Sequence, residues 1–315
     1  MNKRQKVLIA VSVLLVLITT IFTALFSIQN NTETSKLKVV ATFYPLAFFT
    51  QEIGGEEVVV KQLIPDNTEV HSWQPSASDI LAINKADVIV YNGADLDHWF
   101  EEDILSSIDL SDKVIVKSTE NVSLLELNNN EPDLGHDHEG FYDPHTWISP
   151  FVAKLQAQNI YIALVQKDPI NVEYYTERWQ NLKTRFEELD RKYMIDISAK
   201  KKSDIFVTHS AFGYLAYRYG FEQHGVIGVS ADQQPSASAY ASLVEMMIQF
   251  ESYVVYVNPL YSDEFAQTLK SELKRLTGQD VQILKLYFML GKMDGLDYFG
   301  QQEKNLENLK IGLQI

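Results

Sequence analysis

The 315-residue chain has no cysteine. That excludes disulfides, thiolate metal ligands and a thiol nucleophile, and it leaves histidine and carboxylate as the donors for any transition-metal site. Basic residues are outnumbered, 27 against 42 acidic, for a formal net charge of −15. Such a balance offers no surface for gripping phosphate backbones or an anionic membrane, so nucleic acid is excluded as a partner. Long apolar runs are missing with one exception. Lys3, Arg4 and Lys6 precede an uncharged, mostly apolar run from Val7 to Phe26. At about 1.5 Å per residue this run covers roughly 30 Å, enough to cross a bilayer. Positive charge ahead of it predicts that everything after it lies outside the cytoplasm. No small-x-small cleavage site follows it and no cysteine is present to carry a lipid, so an uncleaved anchor is expected in preference to a signal peptide.

What is present is a chain able to build real cores, with 46% hydrophobic residues. Beyond residue 36, short β-branched runs alternate with helical patterns, which predicts an α/β fold: two lobes with mainly parallel sheets flanked by helices. Leu37–Thr42, Glu57–Leu63, Val88–Tyr91 and Lys113–Val116 read as strands of the first lobe, with helices at Pro75–Lys85 and Pro150–Gln166. Asp204–Thr208, Glu222–Val229, Tyr253–Val257 and Val281–Leu286 read as strands of the second. Between them, Tyr175, Trp179, Leu182, Phe186, Leu189 and Tyr193 repeat at spacings of 4 and 3, the stripe of one long connecting helix. The expected organisation is an N-terminal membrane segment and linker (1–36), a first lobe (37–167), the connecting helix (168–200) and a second lobe (201–315).

The histidines number seven. His71 lies in a loop just after a predicted strand, His145 in Asp143-Pro-His-Thr-Trp147 at the start of a helix, and His209 where a strand ends and a helix begins. Ligands of α/β folds bind at the carboxyl ends of strands, so the three positions converge on one functional edge. Three neutral imidazoles suit zinc, whose tetrahedral shell is completed by a carboxylate or water. Calcium and magnesium prefer oxygen, and manganese is disfavoured for the same reason. His98 and His224 carry no such signal. The polar stretch Leu124–Tyr142 holds His136 and His138 among Glu131, Asp133 and Glu139, a composition that gathers metal loosely or serves as a solvated loop.

At these residues the chain resembles the zinc-binding solute receptors of bacterial ABC importers, of the ZnuA and AdcA type. The landmarks, in order, are Ala41-Thr-Phe-Tyr-Pro45, the His71 loop with Trp73, Pro75 and Asp79, Tyr91-Asn-Gly-Ala-Asp-Leu-Asp97 with Trp99, the acidic histidine loop, Asp143-Pro-His-Thr-Trp147, Thr208-His-Ser-Ala-Phe212 and Asn305-Leu-Glu-Asn-Leu309. The resemblance implies two α/β lobes joined by a long helix, Zn2+ held in the cleft, and delivery to an ABC permease by a monomer that is not an enzyme. Manganese-type relatives usually carry glutamate where His209 stands. The resemblance also implies a carboxylate ligand after the last strand of the second lobe, and there the chain departs from it, with Phe288 at that place. Water, Glu69, Asp294 or Asp297 remain as the fourth ligand. A zinc hydrolase is the main competing function, since three histidines and a water are also a catalytic set, but His-Glu-x-x-His is absent. A manganese-type receptor and a surface adhesin are further alternatives.

Overall fold

The computed structural model of the chain describes residues 2, 4–5, 14–20, 36–127, 141–227 and 237–315. It divides into two compact units, 1–36 and Leu37–Ile315. Among the described residues no helix is long and apolar enough to cross a membrane. The expected span Val7–Phe26 lies outside the described residues except for the helical stretch 14–20.

In the large unit, strands β1 (Leu37–Ala41), β2 (Val58–Gln62), β3 (Val88–Tyr91) and β4 (Val114–Lys117) form a parallel sheet in the order β2-β1-β3-β4. A second parallel sheet repeats the pattern, β6-β5-β7-β8, from β5 (Asp204–His209), β6 (Glu222–Ile227), β7 (Val254–Val257) and β8 (Gln282–Lys285). Val88, Ile89 and Val90 are all buried. A parallel strand covered on both faces has no reason to alternate polar residues, so such strands read as continuous apolar runs. In each sheet the first strand has neighbours reached in opposite directions, and a crevice opens beyond its carboxyl end at that switch.

The helices are α1 (Tyr44–Gly54), α2 (Ala77–Lys85), α3 (Pro150–Lys167), α4 (Val172–Ser198), α5 (Gly213–Tyr219), α6 (Ala237–Gln249), α7 (Glu264–Thr277) and α8 (Tyr298–Gly312). Ser76 and Asp79 form a capping box at the start of α2, which satisfies two amides the first turn leaves without partners. Helix α4 is the connector expected from the sequence. Its 27 residues bury Tyr175, Trp179, Leu182, Phe186, Leu189, Tyr193 and Ile197, and it is about 40 Å long. The same core runs on from β1 and α1, through α4, to β5, α5, the segment after β8 and α8. A hydrophobic core that continues from one lobe to the other resists large hinge motion, because separating the lobes would expose packed apolar surface.

Helix α8 turns this packing into placement. Asn305 Oδ1 accepts from the Tyr287 amide at 2.7 Å while its Nδ2 donates to the Tyr287 carbonyl at 2.8 Å. Asn308 Nδ2 donates to the Lys285 carbonyl at 2.8 Å. The Asn305–Leu309 landmark therefore fixes the chain leaving β8, which carries Phe288 to the cleft. Across the cleft, the loop bearing His71 docks on the same stretch, with the Asn67 amide donating to the Leu290 carbonyl at 2.8 Å. Gly291 permits this approach, since a Cβ there would stand 2.8 Å from the Asn67 nitrogen.

Candidate metal centre

His209 is the last residue of β5, His71 lies in the loop beyond β2, and His145 precedes α3 by a short helical turn at Thr146–Ile148. Each reaches the crevice from the carboxyl side of a sheet. His145 and His209 are 1% and 2% exposed, whereas His71 is part-buried at the mouth. The ligand nitrogens of the three lie within 4.8 Å of one another. His71 Nε2 and His145 Nε2 are 3.3 Å apart. Two nitrogens bound to one zinc at 2.0 to 2.1 Å in a tetrahedral shell stand about 3.3 to 3.4 Å apart, so this pair already has the spacing of adjacent zinc ligands.

The second row of residues holds the imidazoles in place. Asp143 Oδ1 accepts from both the amide and Nδ1 of His145, each at 2.9 Å. This bond puts the proton on Nδ1 and leaves the Nε2 lone pair facing the cleft, the usual carboxylate–histidine–metal arrangement. Gly213 makes room for it, because a Cβ there would meet Asp143 Oδ2 at 2.3 Å. Replacing Asp143 by asparagine is expected to weaken zinc binding by about 10- to 100-fold, as loss of such a partner usually does, with unfolding of the metal-free protein little changed; competitive chelator titration checks it.

The turn that carries His145 is pinned by Asn92 at the end of β3. Asn92 Nδ2 donates to the Pro144 carbonyl at 3.0 Å, and its Oδ1 accepts from Thr146 Oγ1 at 3.1 Å and Gln156 Nε2 at 2.9 Å. Asp97 supports Asn92 in turn, accepting from the Asn92 and Gly93 amides at 2.7 and 2.9 Å. The Tyr91–Asp97 landmark thus belongs to the scaffold of the centre. Burial is the main cause that pushes the Asp97 carboxyl up from 3.8 to about 6. With the folded value raised, the folded state holds this proton where the unfolded chain has lost it. Its contribution to stability is complete below pH 3.8 and disappears as the pH rises through 6, a change on the order of 3 kcal/mol. Asp97→Asn is expected to remove that component from the wild-type slope of stability against pH between 4 and 6, read by denaturant unfolding.

The sequence candidates for a fourth ligand separate cleanly. Glu69 lies beside His71, with its Oε1 4.0 Å from His71 Nε2 and accepting from the His71 amide at 3.1 Å, but it is not among the three residues whose ligand atoms lie within 4.8 Å of one another. Asp294 sits in a positive-φ turn and accepts from Lys285 Nζ and Tyr287 Oη, both at 2.7 Å. Asp297 caps α8 through the Gly300 amide at 2.9 Å. Both aspartates are therefore used locally, as turn and cap, and neither joins the histidine cluster. Phe288, 4% exposed, packs its ring edge-on to His209 at 5.1 Å and within 6.4 Å of His145. An aromatic ring thus lies against the histidines where the resemblance implies a carboxylate. Trp147 Nε1 holds the Phe288 carbonyl at 2.7 Å.

His136 and His138 lie outside the described residues. The chain on either side of their segment is described: Glu126 and Tyr142 form an antiparallel bridge, and the Asp143 amide donates to the Leu125 carbonyl at 2.9 Å. His98 is half-buried, with its Nδ1 3.8 Å from Glu102 Oε1. His224 stacks on Phe206 and Phe250 and bonds Asp204 Oδ1 at 2.8 Å. Asp204 and Glu222 begin β5 and β6, so this pair sits at the end of the sheet opposite His209. Sequence reading missed Tyr261, and nothing local marks it. A turn at Asn258 brings it to the centre, where its ring lies 6.3 Å from that of His209 and its hydroxyl donates to Glu69 Oε2.

Two parallel-sheet lobes on one long helix, with three imidazoles converging in the crevice between them, define the class of metal-binding extracytoplasmic solute receptors. The chain belongs to the ZnuA family, described as the periplasmic component A of a zinc-uptake complex, which matches residues 39–312. It is 32% identical over 292 residues to the high-affinity zinc uptake system protein ZnuA of Bacillus subtilis, covering 90% of each chain. It is 30% identical over 309 residues to the zinc-binding lipoprotein AdcA of Streptococcus pneumoniae, covering 95% of this chain and 60% of that longer one. The solved Zn(II)-bound ZnuA-like domain of Streptococcus pneumoniae AdcA superposes with a TM-score of 0.73 at 28% identity, covering 89% of this chain and 100% of the domain.

Proposed function

We propose that the chain captures Zn2+ outside the cytoplasm with His71, His145 and His209 and passes it to an ABC permease in the membrane. The observation that carries this reading is the cluster itself, three imidazole nitrogens within 4.8 Å of one another at the crevice between two lobes. Zinc is cargo, not a catalyst, and no chemical conversion is assigned to the site. The segment 1–36 keeps the receptor at the membrane surface, and His136 and His138 gather zinc near the crevice when supply is low. A core shared by both lobes favours release by disturbance of ligand geometry at the permease over wide opening of the receptor. Imidazole is a borderline donor that suits zinc better than manganese, and Phe288 supplies no oxygen where a harder ion would want one.

The test is competitive titration of the full chain in detergent with zinc and manganese. One zinc ion per chain is expected at the high-affinity site, retained against a 100-fold excess of manganese. Displacement of zinc by equimolar manganese would overturn the assignment. For delivery, cells lacking the protein are expected to regain growth at limiting zinc with the wild-type gene and not with His145→Ala.

A further inference from the structure

At the amino end of the second sheet, the register of two parallel strands gathers a second set of donors. Asp204 stands opposite Glu222, and Phe206 opposite His224. Residues two apart on a strand share a face, so both carboxylates and the imidazole lie on the same side of the sheet. One ligand atom from each of Asp204, Glu222 and His224 lies within 4.8 Å of the others, the same grouping that brings His71, His145 and His209 together. His224 Nε2 is 2.8 Å from Asp204 Oδ1. Two ligands at a right angle, each about 2.1 Å from an octahedral ion, stand about 3.0 Å apart, so this edge is already near the length a metal needs. Packing fixes the imidazole: its centroid lies 5.2 Å from that of Phe206 and 5.7 Å from that of Phe250. Negative charge is in excess here. Lys202, the nearest lysine in sequence to Asp204, is engaged elsewhere, donating to the Phe250 and Glu251 carbonyls at 2.7 and 2.9 Å. Among the described residues no lysine or arginine forms an ion pair with Asp204 or Glu222.

We propose that Asp204, Glu222 and His224 form a second, weaker site for a divalent first-row cation, with water filling the remaining positions of an octahedral shell. Two carboxylates and one imidazole are a harder donor set than three imidazoles, and they suit Mn2+ as well as Zn2+. Glu222 is exposed while Asp204 and His224 are half-buried, so the ion enters from solvent and exchanges readily. The strand from Asp204 to His209 covers roughly 16 to 17 Å, so the two centres share no ligand. An ion at this place ties the first residues of β5 and β6 together, just beyond the point where α4 hands the chain to the second lobe. Binding the folded state and not the unfolded chain, it stabilises that lobe by mass action.

The second site does not depend on the three-histidine reading and is tested apart from it. The full chain in detergent, holding one equivalent of Zn2+, is titrated with Mn2+ alone, and the free ion is followed by its electron paramagnetic resonance signal. One Mn2+ is expected to bind per zinc-loaded chain at this site, with the melting temperature raised by a few degrees at saturation. Glu222→Lys and His224→Gln are each expected to weaken that Mn2+ by about 10-fold or more, since loss of even a second-row partner costs that much. In both, zinc affinity of the three-histidine centre, read by chelator competition, should stay at the wild-type value. Glu222→Lys changes an exposed side chain and decides the matter should His224→Gln fail to fold. His145→Ala is expected to lose the tight zinc and keep the Mn2+. Equal Mn2+ binding by wild type, Glu222→Lys and His224→Gln would overturn the site, as would no Mn2+ bound at millimolar concentration. Tight zinc retained in His145→Ala would contradict the histidine reading and leave the second site standing.

Discussion

His145→Ala is expected to lose zinc affinity by about 1,000-fold or more, close to 4 kcal/mol of binding free energy. The residue is the most enclosed of the three histidines, 1% exposed, and its Nε2 forms the 3.3 Å edge with His71 Nε2. Without it, two imidazoles remain, and the Asp143 carboxylate that oriented the ring loses that partner inside the cleft. Both effects act on the bound state. Loss of a ligand removes a coordinate bond, and the Asp143 carboxylate keeps the backbone amide of residue 145 but no longer orients a ring. Thermal unfolding of the metal-free variant separates these effects from misfolding: a midpoint within a few degrees of wild type is expected, whereas the midpoint with zinc present should fall markedly, because zinc no longer stabilises the fold by mass action.

The largest effect on stability is expected at Trp147. Its side chain is fully buried, 0% exposed, and stands edge-on to Phe43 with ring centroids 4.7 Å apart. Its Nε1 donates to the Phe288 carbonyl and its own carbonyl accepts from Tyr298 Oη at 2.6 Å. One residue therefore joins the start of α1, the turn carrying His145, the segment after β8 and α8. Trp147→Ala is expected to cost about 3 to 5 kcal/mol through the cavity alone, with a further 1 to 3 kcal/mol for the carbonyl left without its donor. At roughly 2 to 4 °C per kcal/mol for a body of this size, the melting temperature should fall by on the order of 10 °C or more. Trp147→Phe keeps much of the packing and removes the bond, so it should show the smaller loss. Denaturant unfolding of both variants measures the two contributions apart.

Much of the architecture was legible because it follows from periodicity. The stripe from Tyr175 to Tyr193 is buried along α4 as its spacing predicts, and the strands lie where β-branched runs stand, with boundaries shifted by a residue or two where both ends are described; residues 228–229 of the expected Glu222–Val229 strand lie outside the described residues. Helix α1 leaves no periodic pattern to read. Tyr44, Pro45, Leu46, Ala47, Phe49, Thr50, Ile53 and Gly54 are all buried, and a helix covered nearly all round shows no amphipathic period to detect. At the centre, the histidines stood out because strand ends in α/β folds face the crevice. Asp143 lies in the Asp143–Trp147 motif, but its grip on His145 Nδ1 depends on a turn that sequence does not specify. Glu69 and Tyr261 are 192 residues apart, and no local rule pairs them. Asp294 and Asp297 are acids close in sequence to the expected ligand position, and turn and cap chemistry accounts for both.

The most direct measurement is the zinc X-ray absorption fine structure of the full chain loaded with one equivalent of metal. The expected shell is three imidazole nitrogens at about 2.0 to 2.1 Å with one oxygen ligand, from water or a carboxylate, at about 2.0 to 2.2 Å. The outer-ring scattering that marks histidine should fall from three rings to two in His145→Ala. A shell dominated by oxygen, or one with fewer than three imidazoles in the wild-type protein, would contradict the assignment of His71, His145 and His209 as the zinc-binding set.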